Sequence, residues 1–231
     1  MVARSYIRLR NAAIVSVAVG MLAACASTGG PAPEEPQKLV SDAQVAFTHF
    51  LRDPDQTWVH DNLGRAKAVL IAPQIVKAGF IFGGSGGRAV LVGREGQAWA
   101  GPAFYDLATA SVGFQAGVEV SEALILVMTD KGLNSLMAST LKIGGDASIA
   151  AGPVGAGAKS TVNADMVSFT RSKGVYGGLN LDGTVVNTNI DWNDAYYGKK
   201  NVLPPDILIR HSVKNSHASA LLGDAARIAG K

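Results

Sequence analysis

The sequence predicts an α+β domain: a curved, largely antiparallel, barrel-like β-sheet with helices packed at the N-terminus, in the middle and at the C-terminus. Three observations carry this. Amphipathic helical patterns bracket the chain, "KLVSDAQVAFTHFL" near its start and "HASALLGDAARIAG" at its end. Between them lie runs of strand length, alternating in "SVGFQAGVEV" (111–120) and continuously apolar in "ALILVMT" (123–129). Glycine supplies 27 of 231 residues, well above the average of roughly 7%. Many of these glycines fall inside strand patterns, where glycine marks bulges and close backbone approach and so bends a sheet.

Taken in order, residues 1–24 read as a targeting signal. Arg4, Arg8 and Arg10 form a positive n-region, and the apolar run after them is too short to span a bilayer. It ends in Leu22-Ala23-Ala24-Cys25, the bacterial lipobox pattern. The Cys25 thiol is the nucleophile that takes a diacylglyceryl group, and the small residues before it admit the peptidase. Cys25 is the only cysteine, so no disulfide competes for it. Each buried CH₂ of an acyl chain contributes roughly 0.8 kcal/mol, and more than one chain makes anchoring stable. The expected location is therefore the cell envelope. Ala26 rather than Asp follows the cysteine, which resembles the outer-membrane sorting pattern, with the domain facing the periplasm. Residues 25–37, small, polar and proline-rich, are expected to be a lipidated tether, and 38–231 the folded domain. Without the three leader arginines the chain has 18 basic and 18 acidic residues. This balance argues against a strongly basic nucleic-acid binder.

The first helix is expected over 39–51, with Leu39, Val45, Phe47, Phe50 and Leu51 on its apolar side. Asp53-Pro54 starts a second helical segment near Trp58–Ala66. "AVLIA" is a short buried strand stopped by Pro73. "AGFIFGG" and "GRAVLVG" flank a glycine cluster at 83–87 and suggest a hairpin. In 111–120, Val112, Phe114, Ala116, Val118 and Val120 share the buried face. "ALILVMT" is buried on both faces. "DKGLNSLMAS" is a helix with Leu133, Leu136 and Met137 on one face. "GGDASIAAGPVGAGAKST" suits a long, tightly packed strand. "VYGGLNLDGTVVNTNI" is a hairpin turning at Asp182-Gly183. "DWNDAYYG" is a short helix capped by Asp191 and stopped by Gly198. Ser216 caps the last helix.

Several motifs invite chemistry and fail on context. Gly152 and Gly157 have the separation of a phosphate-binding loop, but Ala158 stands where its lysine belongs and Lys159 comes one residue late. Ser85 sits in a G-x-S-x-G pattern, yet a strand-like run follows it where a nucleophile elbow requires a helix. His49, His60, His211 and His217 show no metal-ligand spacing. The expectation is no enzyme, no metal and no cofactor. Lys67, Lys77, Arg88 and Arg94 fall within 28 residues and could converge into a patch for phosphate groups. Trp58, Phe80, Phe82, Trp99, Phe104 and Tyr105 are mostly core by pattern, with one or two available to a lipid interface.

The stretch from "AKAVLIAPQIVKAGFIFGGSGG" through "DKGLNSL", followed by "GGDASIAAGPVGAGA", "FTRSKGVYGGLNLDGTVV" and "NDAYYG", resembles the SYLF domain, also called the Ysc84-type actin-binding domain. The likeness runs from about Lys38 to the C-terminal helix. It implies lipid binding. Eukaryotic members are associated with phosphoinositide membranes and actin, and the resemblance implies membrane contact through an amphipathic N-terminal helix and basic residues. Lys67 matches the lysine of the family's "AK-x-VLI" motif and Lys77 that of "VKAGF". The resemblance implies no catalytic residues, and it makes the glycine-rich stretch a structural strand and turn. Actin is not an expected partner outside the cytoplasm. The resulting expectation is a lipoprotein anchored at Cys25 whose domain binds phospholipid headgroups or acyl chains, with Lys67, Lys77, Arg88 and Arg94 in contact. The alternative is an adaptor that docks another envelope protein, with the lipid serving only as anchor.

Overall fold

The computed structural model describes residues 30–79, 82–96, 98–112, 117–155, 162–172, 175–177, 181 and 183–229. The leader, Cys25 and the tether through residue 29 lie outside the described residues, as do Phe80, Phe114, Ala116, residues 156–161 and Asp182.

The chain order is α1 (Glu34–Arg52), α2 (Thr57–Asn62) with a 3-10 turn at Leu63–Arg65, then four long strands, β1 (Ala68–Gly79), β2 (Phe82–Glu95), β3 (Ala98–Val112) and β4 (Gly117–Val127). Helix α3 (Asp130–Met137) precedes five short strands, β5 (Thr140–Lys142), β6 (Ile149–Ala151), β7 (Met166–Ser172), β8 (Val175–Gly177) and β9 (Val185–Thr188). The chain closes with α4 (Ile190–Tyr197), α5 (Pro204–Leu208), a 3-10 turn at Ser216–Ala218 and α6 (Ser219–Ala229). All nine described strands join one sheet in the order β5-β9-β3-β2-β1-β4-β7-β6, with β8 also on β7. Every pairing is antiparallel except β6 with β7. The sheet curls strongly into a half-barrel, so the expected α+β class and curvature are found.

Two cores lie on the two faces of this sheet. On one face Val69, Ile71, Val90, Phe104, Leu124 and Phe169 pack against α1, α2, α4 and α6. On the other, Leu70, Leu91, Tyr105, Ile125, Met166 and Val186 pack against α3 and α5. This explains the continuous apolar run in β4: Ala123 to Val127 are all buried because neighbours on both faces need apolar partners.

Helix α1 starts four residues before Lys38, inside the stretch expected to be tether. Pro33 already has helical backbone angles, Glu34 and Glu35 lie in the first turn, and His49 and Arg52 lie in the last, charges that complement the helix dipole. Pro36, Val40, Ala43, Phe47 and Phe50 are buried at alternating spacings of four and three. Val45, expected on the apolar side, is 56% exposed. The helix ends where Asp53 turns extended ahead of Pro54.

The strands depart from expectation in instructive places. Pro73 does not stop β1. Both of its ladders skip a residue there, between Ile71 and Gln74 on the β2 side and between Ala72 and Ile75 on the β4 side. A bulge is where a strand tolerates a proline, because no ladder hydrogen bond is required of it. The glycines at 83–87 are not a turn. They run along β2 with partners Gly79 to Ile75 on one side and Ser111 to Leu107 on the other. At Gly87 a Cβ would stand 2.3 Å from the Gln74 carbonyl oxygen, so only glycine allows the bulge to approach. The single strand expected over 111–120 is two strand ends: β3 finishes at Val112 and β4 begins at Gly117. Val118 and Val120, expected to be buried, are exposed.

"GGDASIAAGPVG" is not one long strand but a turn, the short strand β6 and a loop. Gly152 in that loop lies against the Phe169 ring, 2.1 Å from where its Cβ would be. The loop serves packing, as the family resemblance implied. Strands β8 and β9 do not form the expected hairpin: β8 pairs with β7, whereas β9 joins β3 and β5. Helix α4 is capped by Asn189, which accepts from the Trp192 N–H at 3.1 Å, and not by Asp191. Gly198 ends it in the left-handed conformation, as expected. Asn215, not Ser216, caps the last turn, accepting from the His217 N–H at 3.0 Å.

One carboxylate stitches the middle of the chain. Asp165 accepts from the Thr129 hydroxyl at 2.7 Å, from the Ser148 N–H at 2.9 Å and from the Ser148 hydroxyl at 2.8 Å, with Lys131 at 3.3 Å. The Thr129 hydrogen bond, followed by those of Ser148, holds its pKa well below the usual carboxylate range. A depressed folded pKa contributes stability above the unfolded value of about 3.9 and loses it as pH falls further. Asp165→Asn should therefore cost about 2–3 kcal/mol at neutral pH, the size of lost charged hydrogen bonds. It should also flatten the fall in stability below about pH 4. Urea titrations at neutral and acid pH measure both, and an unchanged acid limb would refute this assignment. Gly152→Ala should cost about 1–3 kcal/mol by overpacking. A wild-type urea midpoint in that variant would mean the Phe169 contact is not tight.

Candidate functional site

The bulge at Pro73 sets the site. Before it, Val69 and Ile71 of β1 face the α1 side. After it, Ile75 belongs to the opposite core. One extra residue has reversed the alternation, so Gln74, Val76 and Ala78 now face the α1 side. Beyond this point the four long strands project past the helices.

The register gives this projection two unlike faces. On the α1 side the first row across β4, β1, β2 and β3 is Val120, Val76, Gly86 and Ala108, and the second is Val118, Ala78, Gly84 and Ala110. No charged residue occurs in either row. Val118 is 72% exposed, Val120 47% and Val76 39%, and Val45 of α1 adds a fourth uncovered valine. On the other face one row reads Glu119, Lys77, Ser85 and Thr109. An alternation of this kind marks a sheet with one apolar face, and here no described element covers it.

Behind the apolar rows, toward α1, runs a charged row. Arg88 and Asp106 pair across β2 and β3, with the guanidinium 3.4 Å from the carboxylate and 4.3 Å from the centroid of the Trp192 ring. At the β4 end, both oxygens of Glu122 lie 3.0 Å from His49 Nδ1 of α1, and Arg171 of β7 donates to Glu122 at 3.2 Å. These contacts pin α1 to the sheet. Lys38 and Asp42 pair at 2.6 Å on the helix above. Two open cavities, of about 610 and 560 Å³, lie between α1 and this row and share Asp42 and Gln74.

The four basic residues do not converge. Lys67 and Arg94 sit together at the inner end of the sheet, where the Lys67 carbonyl accepts from the Arg94 N–H at 2.8 Å. Lys77 is ten residues further along β1, about 30 Å away at strand rise, and on the polar face opposite Glu119. Arg88 lies between them on the α1 side. Three of the four are engaged: Lys67 with Asp130 at 3.1 Å, Arg88 with Asp106 and Trp192, and Arg94 with the Gly96 carbonyl at 2.7 Å and the Gly64 carbonyl. The window that suggested a patch in the sequence is spread along one strand pair.

Ser85 lies mid-strand in an antiparallel ladder, not at a strand-to-helix turn. His60 contacts the Leu51 carbonyl at 2.9 Å, His211 pairs with Glu95 at 2.8 Å and His217 lies 3.4 Å from the Ser41 hydroxyl. Among the described residues no three His, Cys, Asp or Glu side chains are grouped to hold a metal, and no helix is long and apolar enough to cross a membrane. Trp58, Trp99, Phe104 and Tyr105 are core. The uncovered valines are not among the residues that the sequence marks as candidate contacts. Their alternation is visible in the sequence, but which side of it stays uncovered depends on the bulge and on where α1 crosses the sheet.

The fold and site define a class: an α+β domain whose half-barrel sheet extends past its helices with one apolar and one polar face. The family described as Las17-binding protein actin regulator, Ysc84, matches residues 108–227. The chain belongs to this family. LAS seventeen-binding protein 3 of Saccharomyces cerevisiae is 30% identical over 152 residues, 62% of this chain and 33% of that protein. Human SH3 domain-containing YSC84-like protein 1 is 26% identical over 201 residues, 80% of this chain and 58% of that protein. The yeast protein YSC84 is 27% identical over 182 residues, 73% and 38% of the two chains. The chain thus spans about a third to somewhat over half of these relatives.

If Arg94 is structural, Arg94→Ala should lower stability by about 1–3 kcal/mol, because it strips the donor from the Gly64 carbonyl. Lys77→Ala should stay within about 0.5 kcal/mol of wild type. Thermal or urea melts compare the two, and an equal cost for both would contradict this division.

Proposed function

We propose that this chain is a lipoprotein of the bacterial envelope, anchored through acyl chains at Cys25, whose domain binds the surface of a phospholipid membrane. The observation that carries the membrane contact is the uncharged, uncovered face formed by Val45, Val76, Val118 and Val120. The lipobox spacing before Cys25 supports the anchor, and Ala26 supports an outer-membrane, periplasm-facing location. The contact is made by apolar insertion. The basic residues are dispersed and engaged, and the mature chain has equal numbers of acids and bases. Lys67 and Arg94, at the far end of the sheet, therefore do not touch the bilayer. Eight residues, 26–33, lie between Cys25 and the start of α1, at most about 30 Å of chain, so an anchored domain would keep the N-terminal half of α1 near the membrane.

The test uses the mature chain, residues 25–231, with Cys25→Ser so that no anchor forms. It should sediment with vesicles at millimolar lipid, and binding should change little between about 0.05 and 0.5 M salt, because screening does not weaken apolar contact. Val118→Asp with Val120→Asp should reduce binding about tenfold or more, whereas Lys67→Glu with Arg94→Glu should not alter it. Salt-sensitive binding lost in the lysine and arginine variant would restore the basic-patch reading instead. Separately, labelled palmitate should enter the wild-type chain and not Cys25→Ser.

One observation favours a second reading. The yeast relative is named for binding another protein, LAS seventeen. In that reading the same apolar face docks another envelope protein and the lipid is only the anchor. Absence of vesicle binding, with co-purification of one envelope protein that depends on Val118 and Val120, would decide for it.

A further inference from the structure

The membrane-binding reading leaves the charged groove behind the apolar rows without a role. The geometry points to one: the 610 Å³ groove between α1 and the sheet receives the headgroup of a zwitterionic phospholipid, a phosphodiester joined to an amine, while the acyl chains lie over the valine rows. This inference rests on the reading that the apolar face meets the bilayer.

The groove's charges are mixed. Lys38 and Arg88 supply two cations, and Glu35, Asp42 and Asp106 supply three carboxylates. A ligand bearing only negative charge would satisfy the cations and confront three acids. A ligand bearing only positive charge would confront Arg88 and Lys38. A zwitterion answers both: Arg88 presents a planar fork of donors to a phosphate, and the acids accept an ammonium. The existing pairs are cheap to exchange, since Lys38–Asp42 and Arg88–Asp106 are each about half exposed or more. Packing of Arg88 over Trp192 holds the guanidinium against a buried ring, so its orientation is set before a ligand arrives.

The floor of the groove is shaped for close approach. Gly86, which faces the α1 side, carries no side chain there. The groove is continuous with the apolar rows through Val76 and Gly86, which belong to both. A headgroup seated on Arg88 would therefore have its acyl chains directed along the uncharged face. This continuity selects a lipid over a free phosphate or a soluble amine. The order of surfaces, apolar rows at the tip and balanced charge behind, also matches the order of chains and headgroups in a bilayer leaflet.

The same Cys25→Ser mature chain tests it, with vesicles of identical acyl chains in two compositions. One is a mixture of phosphatidylethanolamine and phosphatidylcholine, and the other contains phosphatidylglycerol, whose headgroup has no amine. The expected result is about tenfold stronger partition into the zwitterionic vesicles. Arg88→Gln with Asp42→Asn should bring the two compositions within about twofold. Val118→Asp should weaken both alike. Soluble glycerophosphoethanolamine should compete, and inorganic phosphate at the same concentration should not. Circular dichroism confirms that the variants fold. Equal wild-type partition into the two compositions would overturn the headgroup assignment and leave the apolar contact standing. A preference that survives Arg88→Gln with Asp42→Asn, or competition by inorganic phosphate as strong as by glycerophosphoethanolamine, would overturn it too. Absence of binding to every vesicle would overturn the membrane reading itself.

Discussion

A single extra residue at Pro73 reverses the two faces of the central strand halfway along its length. Inside the bulge, Val69 and Ile71 sit beneath the helices, and Ala72 and Leu70 fill the opposite core. Outside it, the residue that faces the helices' side is Val76. The neighbouring strands follow through their pairings, so four strands present the same change of surroundings at the same level. The buried part of the sheet can be apolar on both faces, and the projecting part can be apolar on one and polar on the other. Gly87 is what allows the bulge to exist beside a paired strand, because the Gln74 carbonyl occupies the place of its side chain.

The charged row lies at the boundary between these two regimes, and this placement follows from the same geometry. Charges inside the bulge would be buried between sheet and helix at a cost of several kcal/mol each. Charges in the apolar rows would break the uncovered face. At the boundary, Glu122 reaches His49 and Arg171, and Arg88 reaches Asp106 and Trp192, while remaining open to solvent on one side. The Glu122–His49 contact fixes α1 on the sheet, and Arg88, Asp106, Glu122 and Arg171 line the two cavities beneath it.

The uncovered face is modest in energy. Fully burying a valine contributes roughly 1.5 kcal/mol, and three of the four valines are already more than two-fifths covered, with exposures from 39% to 56% beside the 72% of Val118. A contact of that size gives millimolar affinity at most from these side chains alone. The proposed anchor would change its consequence, because a linked contact operates at an effective concentration that is itself millimolar. In the proposed reading an acyl anchor at Cys25 would supply residence, and the weak apolar face would supply orientation.

Much of this was legible in the chain itself. The amphipathic repeat of α1, the doubly buried run of β4, the helix at "DKGLNSLM" and the stop at Gly198 are local patterns, and each was read where it occurs. So was the structural character of the glycine-rich 144–155 stretch, through its family resemblance and its missing lysine. Other features depend on residues far apart in sequence. Pro73 looks like a strand end until both of its neighbours are known, and the glycines at 83–87 look like a turn until they are paired. Val118 and Val120 alternate like core residues, and only the bulge and the place where α1 crosses the sheet decide that no described element lies over them. Lys67, Lys77, Arg88 and Arg94 are near in sequence but are separated by the rise of an extended strand. Periodicity determines what a segment can become. Which face is covered, and which charges meet, is a property of register, and register is set only when the strands assemble.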